Sequence, residues 1–156
     1  LLGSTLPMDP TAIKDMLTKF CASTGRSKKS LAHDLAARIY VNIEDKNPCS
    51  LEDYLDRCVW GLPIGHGGIV AIKDHLRPDV WWLDIWAPDF RFNVSTMRAA
   101  ILICHALGCK FLASDNSHEP RFNYICKKIG FQELEPNLWS LKLSFADRSP
   151  CLKYSL

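Results

Sequence analysis

An aspartate among tryptophans is the first residue of this 156-residue chain whose setting favours chemistry. In the segment VWWLDIWAP, two-residue alternation puts Trp82, Asp84 and Trp86 on one face of a β-strand. A carboxyl group held among apolar rings loses hydration, which raises its pKa toward the range of a useful general base. Asp84 is therefore a candidate base, and the alternative is a strand aspartate bonded to neighbouring backbone or to an arginine. Asp79 lies in a predicted turn, where we expect it to be solvated.

Cysteine and histidine side chains offer metal binding as a second kind of chemistry. In ILICHALGCK, His105 and Cys109 have the four-residue spacing that puts two ligands on one helix face. No matching second pair follows, and Cys58 and His66 could join them only if the fold brings them near. The chain has seven cysteines without regular spacing, which favours reduced core thiols in an intracellular protein. No metal site is predicted.

Composition limits the class of protein. With 47% apolar and 23% charged residues, the chain can bury about two-thirds of its unfolded surface around a single core. The formal net charge is +2, and GRSKKS (25–30) is an isolated basic run, so a nucleic-acid partner is not expected. No apolar run approaches about 18 residues, and no signal-peptide pattern begins the chain. We expect a soluble cytoplasmic protein without a membrane partner.

Local patterns predict helices in the first third and strands in the middle of the chain. Asp9 and Pro10 begin one helix, KSLAHDLAARIYVNIED forms a second, and SLEDYLDRC forms a third that Ser50 caps. CVWGLPI, GIVAIKDHL and VWWLDIWAP are short and rich in β-branched and aromatic residues. The connections GHGG and RPD between them are typical of hairpins, so three antiparallel strands are predicted.

The second half of the chain alternates between helices and strands. STMRAAILICHALGCK predicts a helix capped by Ser95 or Thr96 and ended by Gly108. FLASD is a buried strand, EPRFNYICKKIG is a helix that ends at a glycine, and FQELE and LWSLKLSF pair across PN. Residues 1–156 are expected to form one domain, in which 1–7 could be a cloning remnant and 146–156 a strap or a disordered tail.

This order of elements, with APDFRFNVSTMRAAILICHALGCKFLASD leading into FNYICKKIGF, resembles the GNAT family of N-acetyltransferases. The resemblance covers 58–145 and, more loosely, the two preceding helices. Pro88 and Arg91 stand where the family has a proline and then the residue that opens its pyrophosphate loop, and Ile129-Gly130-Phe131 closes the last helix. The resemblance implies an α/β (α+β) fold with a mixed, mostly antiparallel sheet flanked by helices.

One parallel pair is expected within that sheet, between the strand that ends near Trp86 and the strand that starts near Phe111. The helix over 95–108 would be the crossover that a parallel pair requires. The resemblance further implies acetyl-CoA as cosubstrate. Its implied coenzyme-binding residues are Trp86, Arg91, Phe92, Asn93, Val94, Ser95 and Thr96.

The implied pyrophosphate loop departs from the family pattern at two positions. Val94 and Thr96 stand where the family has small residues, and a branched side chain resists positive φ and crowds a phosphate oxygen. Backbone N–H groups at a helix N-terminus are what such a loop offers to an anion. Ser95 and Thr96 could add hydroxyl donors, or they could simply cap the helix.

The resemblance also implies catalytic roles for two residues. Asp84 would remove the proton of the attacking amine, and Cys126 occupies the position where many members have a tyrosine that protonates the leaving thiolate. The alternative for Cys126 is a small buried packing residue. The acceptor would be an amine of a small molecule or a protein, with Trp60, Trp82 and Trp86 as pocket walls or as core. The alternative function is a catalytically inactive GNAT-fold protein that acts through protein contacts, as a viral or regulatory component does.

Overall fold

The computed structural model describes residues 28–43, 49–88, 92–117 and 119–143. The helices are α1 (Lys28–Ile43), α2 (Leu51–Arg57), α3 (Val94–Ala106) and α4 (Phe122–Ile129). The strands are β1 (Cys58–Ile64), β2 (Gly67–Lys73), β3 (Val80–Trp86), β4 (Phe111–Asp115), β5 (Gln132–Glu135) and β6 (Leu138–Lys142). This order confirms the prediction for the described ranges; the predicted helix after Asp9, the segment 1–7 and the tail 146–156 lie outside them.

The described strands form one mixed, open sheet in the order β1-β2-β3-β4-β6-β5. Every neighbouring pair is antiparallel except β3 and β4, which are parallel. A parallel pair needs a long crossover, and α3 supplies it. The predicted α+β class, the parallel pair and its crossover helix are therefore confirmed.

The parallel pairing of β3 with β4 is short. Val80, Trp81 and Trp82 pair with Phe111, Leu112 and Ala113, and the register goes no further. The first strand nevertheless continues to Trp86 and the second to Asp115. Beyond this ladder, residues 83–86 and 114–115 border a stretch in which the two strands are not joined by a ladder. We call it the β3–β4 opening.

Two apolar clusters cover the two faces of the sheet. The larger one joins α3 and α4 to Trp81, Leu83 and Ile85 of β3. The smaller one joins α1 and α2 to the opposite face, where Trp82 and Trp86 pack at its edge. The burial of β3 alternates residue by residue, as the sequence predicted, so Asp84 belongs to the face under α1 and α2. Among the described helices, none is both long and apolar enough to cross a membrane.

Glycines in β1 and β2 let α1 approach the sheet closely. A Cβ atom on Gly61 would lie 3.1 Å from the Cα of Ala32, and one on Gly68 would lie 2.7 Å from Leu35 Cδ2 and from the carbonyl oxygen of Leu62. Only glycine leaves room for this approach. These two glycines of the GLPIGHGG segment therefore allow α1 to pack closely against the sheet.

Helix ends follow the sequence signals at three places. The Ser50 side chain accepts a hydrogen bond from the Asp53 amide at the start of α2. Gly108, after α3, and Gly130, after α4, have φ angles of 97° and 112°. These left-handed values favour glycine, so both predicted terminators are confirmed.

Candidate functional site

Asp84 lies beside the β3–β4 opening and is held by a tyrosine of α2. The Tyr54 hydroxyl donates a hydrogen bond of 2.5 Å to Asp84 Oδ2. Tyr54 is 1% exposed, whereas Asp84 is half-buried. Burial, and then the nearby Asp84 carboxylate, raises the pKa of Tyr54 well above its usual range, so the hydroxyl keeps its proton and stays a donor.

Two thiols and a second tyrosine surround this pair. Burial, followed by the charge of Asp84, raises the pKa of Cys58 to about 12. Burial also raises the pKa of Cys49, against the lowering effect of Arg57, whose guanidinium lies 3.1 Å from the sulfur. The ring of Tyr40 packs on Tyr54 with a centroid separation of 5.3 Å. At neutral pH both thiols are therefore protonated and uncharged.

The three tryptophans predicted as pocket walls or core are divided between the two faces. Trp60 is 5% exposed, belongs to the larger cluster, and donates its indole N–H to Cys104 Sγ at 3.2 Å. Trp82 and Trp86 are half-buried on the face of Asp84, and Trp82 donates to Asp74 Oδ1 at 3.0 Å. Trp60 is thus a core residue, while Trp82 and Trp86 flank the candidate base.

The start of α3 corrects one prediction about the loop. The N-cap is Asn93 and not Ser95 or Thr96: its Oδ1 accepts from the Thr96 amide and from the Thr96 hydroxyl, each at 3.0 Å. The helix begins at Val94 because the Asn93 carbonyl oxygen accepts the first helical bond, from Met97. An asparagine in extended conformation one residue before the helix satisfies two donors at once, which explains why it is the cap.

The remaining residues of the predicted loop have mixed surroundings. Phe92 is 7% exposed and contacts Phe122 edge-on at 5.2 Å, so its side chain is core. Val94 packs in part on the same cluster, and Ser95 and Thr96 are half-buried. Arg91 lies outside the described residues. Phe92 is thus a core residue, and Asn93 is the exposed residue of this loop among those described.

Cys126 lies on the buried face of α4, within a network of amide side chains. The thiol is fully buried, and Asn116 Nδ2 lies 3.5 Å from its sulfur. Asn116 also accepts from Ser114 and donates to Asn123, and Asn123 accepts the Trp139 indole N–H at 2.8 Å. Burial raises the pKa of Cys126, and hydrogen bonds from Asn116 and Ser114 oppose that rise. The thiol therefore stays protonated at neutral pH.

The sheet separates the two predicted catalytic residues. Asp84 belongs to the face under α1 and α2, whereas Cys126 is part of the cluster under α3 and α4. The β3–β4 opening lies between the strand that carries Asp84 and β4. At its rim, Arg121 at the start of α4 donates to the carbonyl oxygen of Ala87 at 3.2 Å and pairs with Glu119 at 3.2 Å. A ligand that met both residues would have to reach both faces of the sheet.

The geometry around Asp84 is suited to proton transfer. Asp84 offers a half-buried carboxylate that a neutral donor orients, which is what a general base requires. The residues that the structure describes contain no group of three His, Cys, Asp or Glu side chains that could hold a metal ion.

No protein-family model matches this chain, and neither a curated protein nor a solved structure does.

Sequence reasoning missed Tyr54 and Asn93. The signal for Tyr54 is weak: it is the one aromatic residue of the short, charged segment SLEDYLDR, so it is the side chain that this helix buries against the sheet. The signal for Asn93 is its position just before a helical pattern. Two other residues of cap-forming type, Ser95 and Thr96, lie within the same four residues.

Burial of Cys126 predicts a measurable lack of reactivity. Iodoacetamide attacks thiolates, so in the folded protein Cys126 is expected to stay unmodified under conditions that alkylate half-buried Cys49. Peptide mass spectrometry after timed labelling measures both sites in one sample. Labelling in guanidinium chloride is the control, because every thiol is then accessible. Equal rates at Cys126 and Cys49 in the folded protein would contradict the burial of this thiol.

Proposed function

We propose that this chain is an N-acyltransferase of the GNAT type, which moves an acetyl group from acetyl-CoA to an amine of a small molecule or a protein. The observation that carries the proposal is the β3–β4 opening with a positioned carboxylate at its side. An opening between parallel strands gives a thin, extended cosubstrate a way across the sheet. A carboxylate beside it supplies the base that amine acylation needs.

The start of α3 supports a place for the diphosphate of the cosubstrate. In open sheets with parallel strands, ligands bind beyond the carboxyl ends of those strands, which is where α3 begins. The first four N–H groups of a helix have no intrahelical acceptor, and here they belong to residues 93–96. The Asn93 side chain takes the amide of Thr96. The other amides at this helix start, with the charge of Arg91, are the proposed anion donors.

The proposed reaction needs one base and one acid. Asp84 takes a proton from the acceptor nitrogen as that nitrogen attacks the thioester carbonyl carbon. A C–N bond forms, the C–S bond breaks, and the coenzyme leaves as a thiolate. That thiolate takes a proton from Cys126 or from water, which yields the amide and free coenzyme A. Cys126 fills this role only if the sulfur of the cosubstrate reaches the buried face of α4.

A second candidate function rests on the Asn93 cap. Its side chain already satisfies the amide and the hydroxyl of Thr96, two donors that an anion would otherwise use. The branched side chain of Val94 stands at the first position of the helix. Both features favour a GNAT-fold protein that has lost its coenzyme and acts through protein contacts, as a viral or regulatory component does.

Calorimetric titration with acetyl-CoA tests the proposed function. Arg91→Ala is expected to weaken acetyl-CoA binding by about 1.5 to 3 kcal/mol, the scale of one charged hydrogen bond. Arg77→Ala is the matched control, because Arg77 is exposed in the turn before β3, at the strand end away from the opening. Its affinity for acetyl-CoA is expected to equal that of the unaltered protein.

The same titration separates the two candidate functions. The acetyltransferase is supported if the protein binds acetyl-CoA, if Arg91→Ala weakens that binding and if Arg77→Ala does not change it. If the folded, unaltered protein releases no heat with millimolar acetyl-CoA, the acetyltransferase proposal is wrong and the non-catalytic function takes its place. Circular dichroism on each sample confirms that the protein compared is folded.

A further inference from the structure

We propose that Tyr54 is the positioning residue for Asp84, whose carboxylate its hydroxyl holds in the orientation and ionised form that proton removal requires. This inference rests on the proposed acetyltransferase function, and it adds to that function a residue on an element far from the implied coenzyme loop. The contact that carries it is the hydrogen bond from the Tyr54 hydroxyl to Asp84 Oδ2, 2.5 Å long and spanning 30 residues of sequence.

The tyrosine is held so that its hydroxyl has little freedom to turn away. Tyr54 is 1% exposed and belongs to the cluster under α1 and α2. The ring of Tyr40 packs on it at 5.3 Å. The Ser50 cap fixes the first turn of α2, and the Tyr54 amide bonds the Ser50 carbonyl oxygen at 2.9 Å. Packing and backbone together therefore aim the hydroxyl at β3.

Two of the titratable groups near Asp84 are uncharged at neutral pH. From α2 it faces Tyr54, and from β1 it faces Cys58, both of which keep their protons. The neighbours of Tyr54 are Cys49, ahead of α2, and Tyr40 of α1, whose hydroxyl donates to the Cys49 carbonyl oxygen at 2.7 Å. Of the four ionic groups of α2, Asp53 and Arg57 pair with each other at 3.0 Å, and the other two are Glu52 and Asp56.

A donor to a carboxylate stabilises the charged form, so it lowers the pKa of that carboxyl group. The hydroxyl of Tyr54 is such a donor, so we expect it to favour the ionised form of Asp84. During acyl transfer the N–H bond of the acceptor breaks and an O–H bond forms on Asp84. A carboxylate held in one orientation receives that proton without first reorienting, which is the contribution of a positioning residue.

The test compares two tyrosine-to-phenylalanine variants of the full chain. Tyr54→Phe removes the hydroxyl that contacts Asp84, and Tyr40→Phe removes a hydroxyl from the adjacent ring that bonds a carbonyl oxygen instead. The pKa of Asp84 is followed by carbon-13 NMR of its side-chain carboxyl, assigned with Asp84→Asn. The pH dependence of kcat/KM for acetyl transfer is measured in parallel.

Tyr54→Phe is expected to raise the pKa of Asp84 by about one pH unit and to move the acidic limb of the rate profile by the same amount. The rate on that limb then falls about tenfold, since each pH unit is a tenfold change in the ionised fraction. Tyr40→Phe is expected to leave both unchanged. Should Tyr54→Phe fail to fold, 3-fluorotyrosine at position 54 keeps the ring, strengthens the donor and is expected to lower the pKa of Asp84.

The outcomes separate this inference from the function on which it rests. The positioning role of Tyr54 is overturned if the Asp84 carboxyl titrates identically in the unaltered protein and in every position-54 variant. This result holds whether or not the protein has enzyme activity. If Tyr54→Phe shifts the pKa of Asp84 but leaves the pH dependence of kcat/KM unchanged, the contact between Tyr54 and Asp84 has no part in catalysis. Absence of acetyl transfer in the unaltered protein refutes the proposed function, and the carboxyl titration then decides the Tyr54–Asp84 pair alone.

Discussion

Asp84→Asn is expected to slow acetyl transfer by about 10² to 10⁴-fold, the range in which a positioned general base contributes. An amide cannot take up the proton of the attacking amine. The affinity for acetyl-CoA is expected to stay the same, because Asp84 lies on the face under α1 and α2 and the implied coenzyme loop lies at the start of α3. Single-turnover rates and calorimetric titration measure the two quantities separately.

Asp84→Asn removes the charge of this side chain and changes its shape very little. Asparagine has nearly the shape of aspartate, and its carbonyl oxygen still accepts from the Tyr54 hydroxyl, so the contact between α2 and β3 survives. Asp79→Asn is the matched control, since Asp79 is an exposed residue of the turn before β3. Equal rates for both variants would remove Asp84 from the mechanism.

Gly67→Ala is expected to lower the free energy of unfolding by about 3 kcal/mol, at the upper end of the usual effect of overpacking. An added Cβ would overlap the carbonyl oxygen of Trp86 and would lie 2.8 Å from Pro88 Cδ. Backbone atoms cannot turn aside as a flexible side chain does. The end of β3 must therefore shift, and with it the border of the β3–β4 opening. Urea denaturation, compared at equal m value, measures the loss.

Gly108→Ala distinguishes crowding from backbone strain. Gly108 has a φ of 97° and no neighbouring atom within 4 Å of an added Cβ, so its substitution is expected to add strain alone, about 1 to 2 kcal/mol. Gly67→Ala should destabilise the protein more than Gly108→Ala. The reverse order would mean that the end of β3 yields easily at Trp86.

Local signals were enough to predict the order of elements. The two-residue alternation of β3 is strict: one face carries the buried Trp81, Leu83 and Ile85, and the side chains of the other face are only half-buried. Gly108 and Gly130 end their helices through a left-handed conformation that few other residues adopt. A parallel pair followed from the helix between two strands, since a chain cannot form that pair with a short turn.

The surroundings of Asp84 could not be predicted in the same way. Alternation gives the face on which this carboxylate lies, but the partner on that face comes from a helix 30 residues earlier. Which helix covers which face depends on close packing, such as the approach of α1 over Gly61 and Gly68. The cap at Asn93 was missed for a local reason, because neighbouring polar residues of similar cap preference compete for the same amides.

The short β3–β4 ladder divides the sheet into two leaves. One leaf is β1-β2-β3 and the other is β4-β6-β5. On one side, the cluster under α3 and α4 takes strand residues from both leaves and so holds them together. On the other side, among the described residues, the cluster under α1 and α2 takes its strand residues from the first leaf alone. We therefore expect the two leaves to be held together less firmly on the side of Asp84, where the proposed acceptor would bind.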